Sequence, residues 1–564
     1  MIRMPTTFHR ETPLPPGEDA GSACPGPDPG RVRVRAERSA EGSPNPHPPL
    51  RGTFSRREKG KAWRLAVLLL AATPWPHAAR AADERPDLVL RGTLTGKDNH
   101  AYRSVPFDVP AGTSRITVQF DYDRGEHTVI DLGLLGPSGF REPGGFRGWS
   151  GGSKGVFTVG DTDATPSYLP GAIRPGRWTL LLGIPNVRAA TRAGYTAKLW
   201  FGHPGDPPWE PAVLNPPLRA GPGWYRGDLH MHSAHSDGGC ASQSDSQRVP
   251  CPLFLTAAAA ARRGLDFIGL SEHNTISQLG AIRELQPYFD RLLLMPGREL
   301  TTNQGHANLY GTVAPVDFRV GSAAVPDWNA LLRRVASPHV FVSINHPVRP
   351  SGEICMGCGW TADPPADMAL VQGIEAVNGV DAQTPFSGIP FWQDLLDRGY
   401  RLTAVGGSDN HDAKQPFASL GGSNVGTPAT VVRARELSQP AILEGLRAGH
   451  VFIDVEGSRD RLLELAAQCG ERRAAMGDAL AAATGQRVQF EAHVAHVAGA
   501  RLVVLLDGRP FAPMADAPIA GDDQRLRFAW TSDGQRHWLR ADVRGAGGKP
   551  LLVGNPVYLN FGPR

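Results

Sequence analysis

Nowhere do the 564 residues carry an apolar run approaching the roughly 20 needed to cross a bilayer as a helix; the stretch from Leu65 to Ala72 is far shorter. Charge of one sign is scarce as well, with 59 Lys+Arg against 55 Asp+Glu for a formal net of +4. Residues 1–81 hold 13 basic and 7 acidic residues, so this segment carries +6 and residues 82–564 carry −2. The bulk of the chain therefore has no positive field to attract long polyanions, and any phosphate recognition must be local. Only six cysteines occur, and no short-period repeat is present. What is plentiful is glycine (66) and proline (51), beside 41% hydrophobic and 20% charged residues. This balance describes a loop-rich globular protein and excludes collagen, a coiled coil and a wholly disordered chain. The length accommodates about four domains of roughly 150 residues.

The positive N-terminal segment has the order of an export signal. Arg56, Arg57, Lys59, Lys61 and Arg64 precede the short apolar run, and Ala79-Arg80-Ala81 offers small residues where a signal peptidase cuts. Residues 55–81 are thus expected to be a cleavable signal peptide, with an N-terminal anchor or a buried apolar segment as the alternatives. The export route stays open, because Glu58-Lys59-Gly60 lacks the apolar residue expected after a twin arginine. Residues 1–54, rich in Pro, Gly, Arg and Ser, cannot bury enough surface to offset chain entropy. They are expected to be disordered or an over-extended translation start. The mature protein is expected to be soluble, exported and periplasmic or extracellular.

Along residues 83–203, alternating runs such as Ile116-Thr117-Val118-Gln119-Phe120 are separated by Gly, Pro and Asp clusters, the pattern of an N-terminal β-sandwich. A Pro-rich linker is read at 204–222. The rhythm then changes, with strands expected at 224–232, 265–272, 291–297, 307–313, 339–345, 372–378 and 401–407. Helix-like segments occur at 253–263, 277–289, 327–335, 391–398 and 437–448. Such repetition predicts an α/β domain over 223–458 built on a parallel sheet, and about seven units suggest a closed TIM-like barrel. A second β-sandwich is expected over 459–564.

In such a barrel, function gathers at the carboxyl ends of the strands. Those ends carry Asp228-Leu229-His230-Met231-His232 with Ser236-Asp237-Gly238, then Glu272-His273-Asn274, Gly297-Arg298-Glu299, Asn345-His346-Pro347 and Ser408-Asp409-Asn410-His411, with His306 in Gly305-His306-Ala307-Asn308. If the first strand extends to His232, its two-residue period puts His230 and His232 on one face. Six imidazoles and three carboxylates in one cleft would repel and desolvate one another unless bound cations compensate. Nitrogen and oxygen donors without thiolates suit Zn, Mn or Fe. Two or three such ions would activate a water and clamp the oxygens of an ester.

In order and spacing, these motifs resemble the PHP family, the polymerase-and-histidinol-phosphatase superfamily of metal-dependent hydrolases, over about 230 residues. The layout and Gly223-Trp224-Tyr225-Arg226-Gly227-Asp228 look like an exported carbaryl-hydrolase-like subgroup. The resemblance implies a (β/α)7 barrel with three ions. One would take His230, His232, Glu299 and Asp409; a second the bridging Glu299 with His306 and His346; the third Asp237, His273 and His411, where His235 is the alternative to Asp237. It also makes Arg349 a phosphate contact. The candidate catalytic residues are accordingly Glu299, His306, His346 and Arg349, although ligation would occupy one ring nitrogen of each histidine.

Cys240 and Cys251 bracket a polar loop, and Cys355-Met356-Gly357-Cys358 is a CxxC after the fifth strand. In an oxidising compartment these read as disulfides stiffening loops over the mouth, with a four-cysteine zinc site and, after it, redox activity as the alternatives. Cys469 is expected to be unpaired. The expected activity is phosphoester hydrolysis on a small-molecule substrate. Carbamate or carboxylic ester hydrolysis and a non-catalytic surface-binding protein are the alternatives. No stable nucleic-acid partner is expected, and assembly state is not legible.

Overall fold

The computed structural model describes residues 85–204, 211–353, 355, 357–414 and 424–562. The readings of 1–54 and of the signal peptide at 55–81 lie outside the described residues, as does the 205–210 part of the Pro-rich stretch. No helix among the described residues is long and apolar enough to cross a membrane.

The alternation along 83–203 resolves into two four-stranded antiparallel sheets. One orders Leu88–Thr95, Arg192–Gly202, Arg115–Tyr122 and Val156–Gly160; the other orders Ala101–Val109, Gly176–Asn186, Val129–Leu135 and Phe146–Gly151. In the Arg192–Gly202 strand, Ala193, Tyr195, Ala197 and Leu199 are buried at every second position. Tyr195, Ala197 and Leu199 join Phe107, Ile116, Leu132, Trp178 and Leu180 in one core between the sheets.

Asp163, at the edge of this β layer, is buried between Arg115, 3.0 Å from Nη1, and Arg283 of the Leu279–Leu285 helix. Burial pushes its pKa up, but the two guanidiniums outweigh that and hold it below the ordinary range. Because the folded pKa lies under the unfolded value of about 3.9, the stabilisation is complete above that value and is lost as pH falls through the folded one. Asp163→Asn removes the negative charge that Arg115 and Arg283 share in a buried position and is expected to cost about 3–5 kcal/mol. Urea unfolding at neutral pH checks the loss, and the variant should also show a shallower acid limb than wild type.

The central ladder starts with Arg219–Asp228, Phe267–Leu270 and Leu293–Thr302, paired in parallel. Gly305–Tyr310 then runs back antiparallel, and Phe341–Ile344 is antiparallel to it, which restores the first direction. Gly373–Asn378 and Thr403–Gly407 follow in parallel. A parallel bridge between Met231 and Asn410 links the segments just beyond the first and last of these strands.

The architecture is mixed α/β and mostly sheet, with five α-helices among the described residues; the strict alternation of a (β/α)7 barrel is not shown. Two residues separate Leu293–Thr302 from Gly305–Tyr310, whereas a parallel crossover needs about a dozen, so this connection is a hairpin. Between the Phe341–Ile344 and Gly373–Asn378 strands, the described residues form only a short 3-10 turn, Met368–Leu370. The ladder also continues past the first strand. Ala429–Leu437 lies antiparallel against Arg219–Asp228, followed by Val451–Asp454, Pro550–Gly554, His537–Arg544 and Arg501–Leu506.

The helices Leu253–Arg263, Leu279–Leu285, Trp328–Val335, Ile389–Asp397 and Gln439–Ala448 bury apolar faces in the central cores. In the first, Leu253, Ala257 and Ala260 face inward, and Gly264, at φ +78°, ends the helix with its amide on the Ala260 and Ala261 carbonyls. Asp327 caps the third by accepting from the Ala330 amide at 2.7 Å. At the carboxyl end of the chain, a four-stranded sheet of Arg472–Ala475, Leu462–Cys469, Arg487–Ala495 and Asp523–Thr531 shares a core with Leu502, Val504, Leu539 and Leu552. The second layer there is thus an extension of the central sheet, because its strands pair edge to edge with Val451–Asp454.

Candidate metal centre

The first strand ends at Asp228, short of the extent read from sequence, so its pleat does not itself present His230 and His232. Hydrogen bonds from Asp228 place them instead. Its buried carboxylate accepts the amides of His230 (3.1 Å) and Ser408 (3.0 Å) on Oδ1 and that of Gly426 (2.7 Å) on Oδ2. The segment after the first strand is thereby tied to the end of the last. Gly407 allows the close approach, since a Cβ there would collide with His230 Cβ and the Glu375 carboxylate. Two further residues, His346 and Asp409, hold left-handed φ values of +27° and +54°. For residues with a Cβ this conformation is costly and persists where the surroundings impose it, as at functional sites.

Glu299 lies at the middle of the arrangement. Its Oε1 is 3.3 Å from His230 Nε2, 3.3 Å from His346 Nε2 and 3.2 Å from His306 Nδ1. Its Oε2 is 2.8 Å from His273 Nδ1 and 3.6 Å from His232 Nε2. Asp409 Oδ1 lies 3.3 Å from His230 Nε2 and 3.4 Å from His232 Nε2. On the outer side, Asp237 Oδ1 is 3.4 Å from His273 Nε2 and 3.3 Å from His411 Nε2. Their ligand atoms fall into groups within 4.8 Å of one another: His230, His232 and Glu299; His230, His346 and Asp409; His232, Asp237, His273 and His411; and His306, His346 and Cys358.

All nine side chains expected at the centre are therefore brought together. His235 turns away, with Nδ1 3.0 Å from Ser277 Oγ.

The atoms facing the middle are poorly satisfied. His230 Nε2, His232 Nε2, Glu299 Oε2 and both ring nitrogens of His306 are buried without a hydrogen-bond partner. Buried polar groups without partners are rare, and each needs a cause. Convergent orphans on imidazoles and a carboxylate fit divalent cations, and the donor set of nitrogens and oxygens suits Zn, Mn or Fe.

Protonation follows the same crowding. Burial lowers the His230 pKa, but Glu375, Asp409 and Glu299 overcome it and raise it well above the usual value. Burial likewise opposes His273, which Glu299 and Asp237 lift to about 10. Against burial, the histidines hold Glu299 and Asp409 well below the carboxylate range. His232 goes the other way, to about 3, through burial and the charges of His411 and His273. Its ring stacks against both of those, with centroids 4.1 and 4.2 Å away. Protons here occupy positions that cations would take, so ion binding would release them.

The chain matches no model of a known protein family, and no curated protein matches it. Among solved structures, it is similar to a two-domain protein from Bacteroides vulgatus containing a predicted PHP-like metal-dependent phosphoesterase. The identity is 19% over 60% of this chain and 95% of that chain, with a TM-score of 0.32. It is also similar to PsfC from Pseudomonas syringae, with 19% identity over 37% of this chain and 82% of that chain and a TM-score of 0.25.

Several residues around the cluster were given no role from sequence, although Glu272 and Asn345 lie within the motifs read there. Glu375 accepts His230 Nδ1 (2.9 Å) on Oε1, and the His346 amide and Asn378 Nδ2 (both 2.9 Å) on Oε2. Asn345 Nδ2 donates to Glu299 Oε1 at 2.9 Å. Glu272 accepts the Ser233 amide (3.0 Å) and Ser236 Oγ (2.5 Å), fixing the loop that carries Asp237. The sequence signal for Glu375 was a carboxylate between Ile374 and Ala376 in an otherwise apolar run.

Arg349, expected to contact phosphate, is buried. Its Nε and Nη2 donate to Asp381 Oδ2 at 3.2 and 2.8 Å, and Nη1 lies 3.8 Å from Asp409 Oδ2. Two disulfides, Cys240–Cys251 and Cys355–Cys358, brace the nearby loops, so the four cysteines do not form one site. Cys469 is free and buried.

Proposed function

We propose that this chain is an exported, multinuclear metal-dependent hydrolase of the PHP type that cleaves phosphoesters. The observation that carries the reading is the convergence of the buried, unpartnered ring nitrogens of His230, His232 and His306 on the Glu299 carboxylate. His230, His232, Glu299 and Asp409 would hold one ion, Glu299 with His306 and His346 a second, and Asp237, His273 and His411 a third. Ions bound there supply an activated water and charge stabilisation for the oxygens of an ester.

The protein's own part is to hold the donors aimed at a common centre. Glu375 fixes His230 through Nδ1, leaving Nε2 for an ion, as carboxylates behind metal-binding histidines do. His273 is oriented in the same way by Thr301 Oγ1, 2.7 Å from Nδ1. Arg349 holds charge beside Asp409 while anchored by Asp381. Export is supported by the basic and apolar leader and by the pairing of four cysteines. The substrate would be a small molecule.

A carbamate or carboxylic ester is the second reading. It is favoured by the engagement of Arg349 with two carboxylates, which leaves that guanidinium less available to an anionic substrate. Turnover of aryl phosphomonoester, phosphodiester and carbamate substrates by the ion-loaded protein separates the two. Phosphoester turnover abolished by a chelator and restored by Zn or Mn is the expected result; turnover of the carbamate alone would shift the assignment to the second reading.

Glu375→Gln presents an amide N–H to groups that themselves donate, the His346 amide and Asn378. It is expected to weaken ion affinity by about 10–100-fold while leaving the fold intact. Ion titration of chelator-stripped protein, with circular dichroism as the control, measures this.

A further inference from the structure

We infer that the Cys355–Cys358 disulfide is a redox control on the inner end of the cluster: once reduced, Cys358 becomes a thiolate ligand beside His306 and His346. The inference rests on the metal-centre reading. Cys358, His306 and His346 are all buried, and the Cys358 sulfur lies with a ring nitrogen of each within 4.8 Å of one another. Neither ring nitrogen of His306 has a hydrogen-bond partner. A disulfide sulfur is a poor ligand, whereas thiolate and imidazole are both zinc ligands.

The sulfur would stay in place after reduction, because the segment is held by its backbone. The Cys358 carbonyl lies 3.2 Å from His346 Nδ1, the Gly359 amide donates to Ser351 Oγ at 2.9 Å, and the Trp360 amide to the Pro347 carbonyl at 2.8 Å. Gly357, at φ +78°, packs where a Cβ would collide with the Thr302 carbonyl.

The two sulfurs differ in access. Cys355 is partly exposed and Cys358 is buried. The thiolate of a dithiol reductant therefore attacks Cys355 Sγ, and the electron pair of the broken S–S bond leaves on Cys358 Sγ. The second thiol of the reductant then breaks the mixed disulfide, releasing Cys355 as a thiol and the reductant as its own disulfide. Two electrons pass to the protein, and the adjacent ion holds Cys358 deprotonated. The oxidised form leaves that coordination position free, and the reduced form fills it.

Cobalt(II) alone, added to the full chain, is the probe. Oxidised protein should show cobalt d–d absorption without a thiolate-to-cobalt charge-transfer band. Reduction by a trialkylphosphine, which becomes its oxide, should add that band at the intensity of one thiolate. Cys355→Ser should show it without reductant, and Cys358→Ser should never show it. Bound cobalt with no such band after reduction, thiols having been titrated, overturns the inference alone, as does a band that survives in Cys358→Ser. Failure of the oxidised protein to bind cobalt overturns the metal-centre reading itself.

Discussion

Glu299→Gln is expected to strip the centre of its inner ions and to lower turnover by more than the about 100-fold that losing an orienting partner costs. Glu299 lies within 3.6 Å of five imidazoles, those of His230, His232, His273, His306 and His346. A glutamine of the same shape keeps only one oxygen donor, so it would hold cations more weakly than the carboxylate does. Its amide also removes the charge that keeps neighbouring imidazoles and cations compatible. Elemental analysis of the reloaded variant should show fewer ions per chain than wild type, together with the loss of turnover. An unchanged ion content would remove Glu299 from the bridging position. The outer group of Asp237, His273 and His411 keeps Asp237 as its shared carboxylate and loses only the Glu299 contact to His273 Nδ1, so it should retain more affinity than the inner ions.

Arg349→Met carries the second large effect, and it falls on stability. The substitution leaves Asp381, only 3% exposed, without its cation. Removing one partner of a buried pair costs about 3–5 kcal/mol, which denaturant unfolding would register. Replacing both members, Arg349→Met with Asp381→Leu, should recover much of the loss, since the penalty lies in the orphaned charge. Function separates the remaining possibilities. If Arg349 acts mainly by positioning Asp409, Asp381→Asn should weaken ion binding as Arg349→Met does. If it also meets an anionic substrate, Arg349→Met should raise KM for phosphoesters more than for neutral esters. A variant with wild-type stability and ion affinity would contradict the buried pair.

The site was more legible in the sequence than the sheet that carries it. His230, His232, Glu299, Asp409 and their partners stand out because imidazoles and carboxylates recur where apolar runs stop, and such repetition is costly without cations. The helix Leu253–Arg263 was equally readable, since an alanine-rich apolar face ends on Gly264. Strand direction was less so. The runs around Leu293 and Leu309 have the composition of buried strands whichever way they point, and only the short gap between them reveals a hairpin.

The extension of the sheet into the carboxyl-terminal layer had no local signature at all. It depends on Val451–Asp454 finding Pro550–Gly554 nearly 100 residues away. Glu375 and Asp381 were hidden for opposite reasons. Glu375 lies in an apolar run that reads as core, and Asp381 lies in a loop where a charge is ordinarily solvated. Their roles come from tertiary partners, His230 and Arg349, that spacing alone does not supply.

The most direct measurement is the ion content of chelator-stripped protein reloaded with Mn or Zn, taken beside turnover, for wild type and His230→Ala. The expected result is about two to three ions per wild-type chain, as a multinuclear hydrolytic centre requires, with fewer ions and no turnover in His230→Ala. Full ion content and undiminished turnover in His230→Ala, or a wild-type chain that binds no stoichiometric ion, would contradict the account.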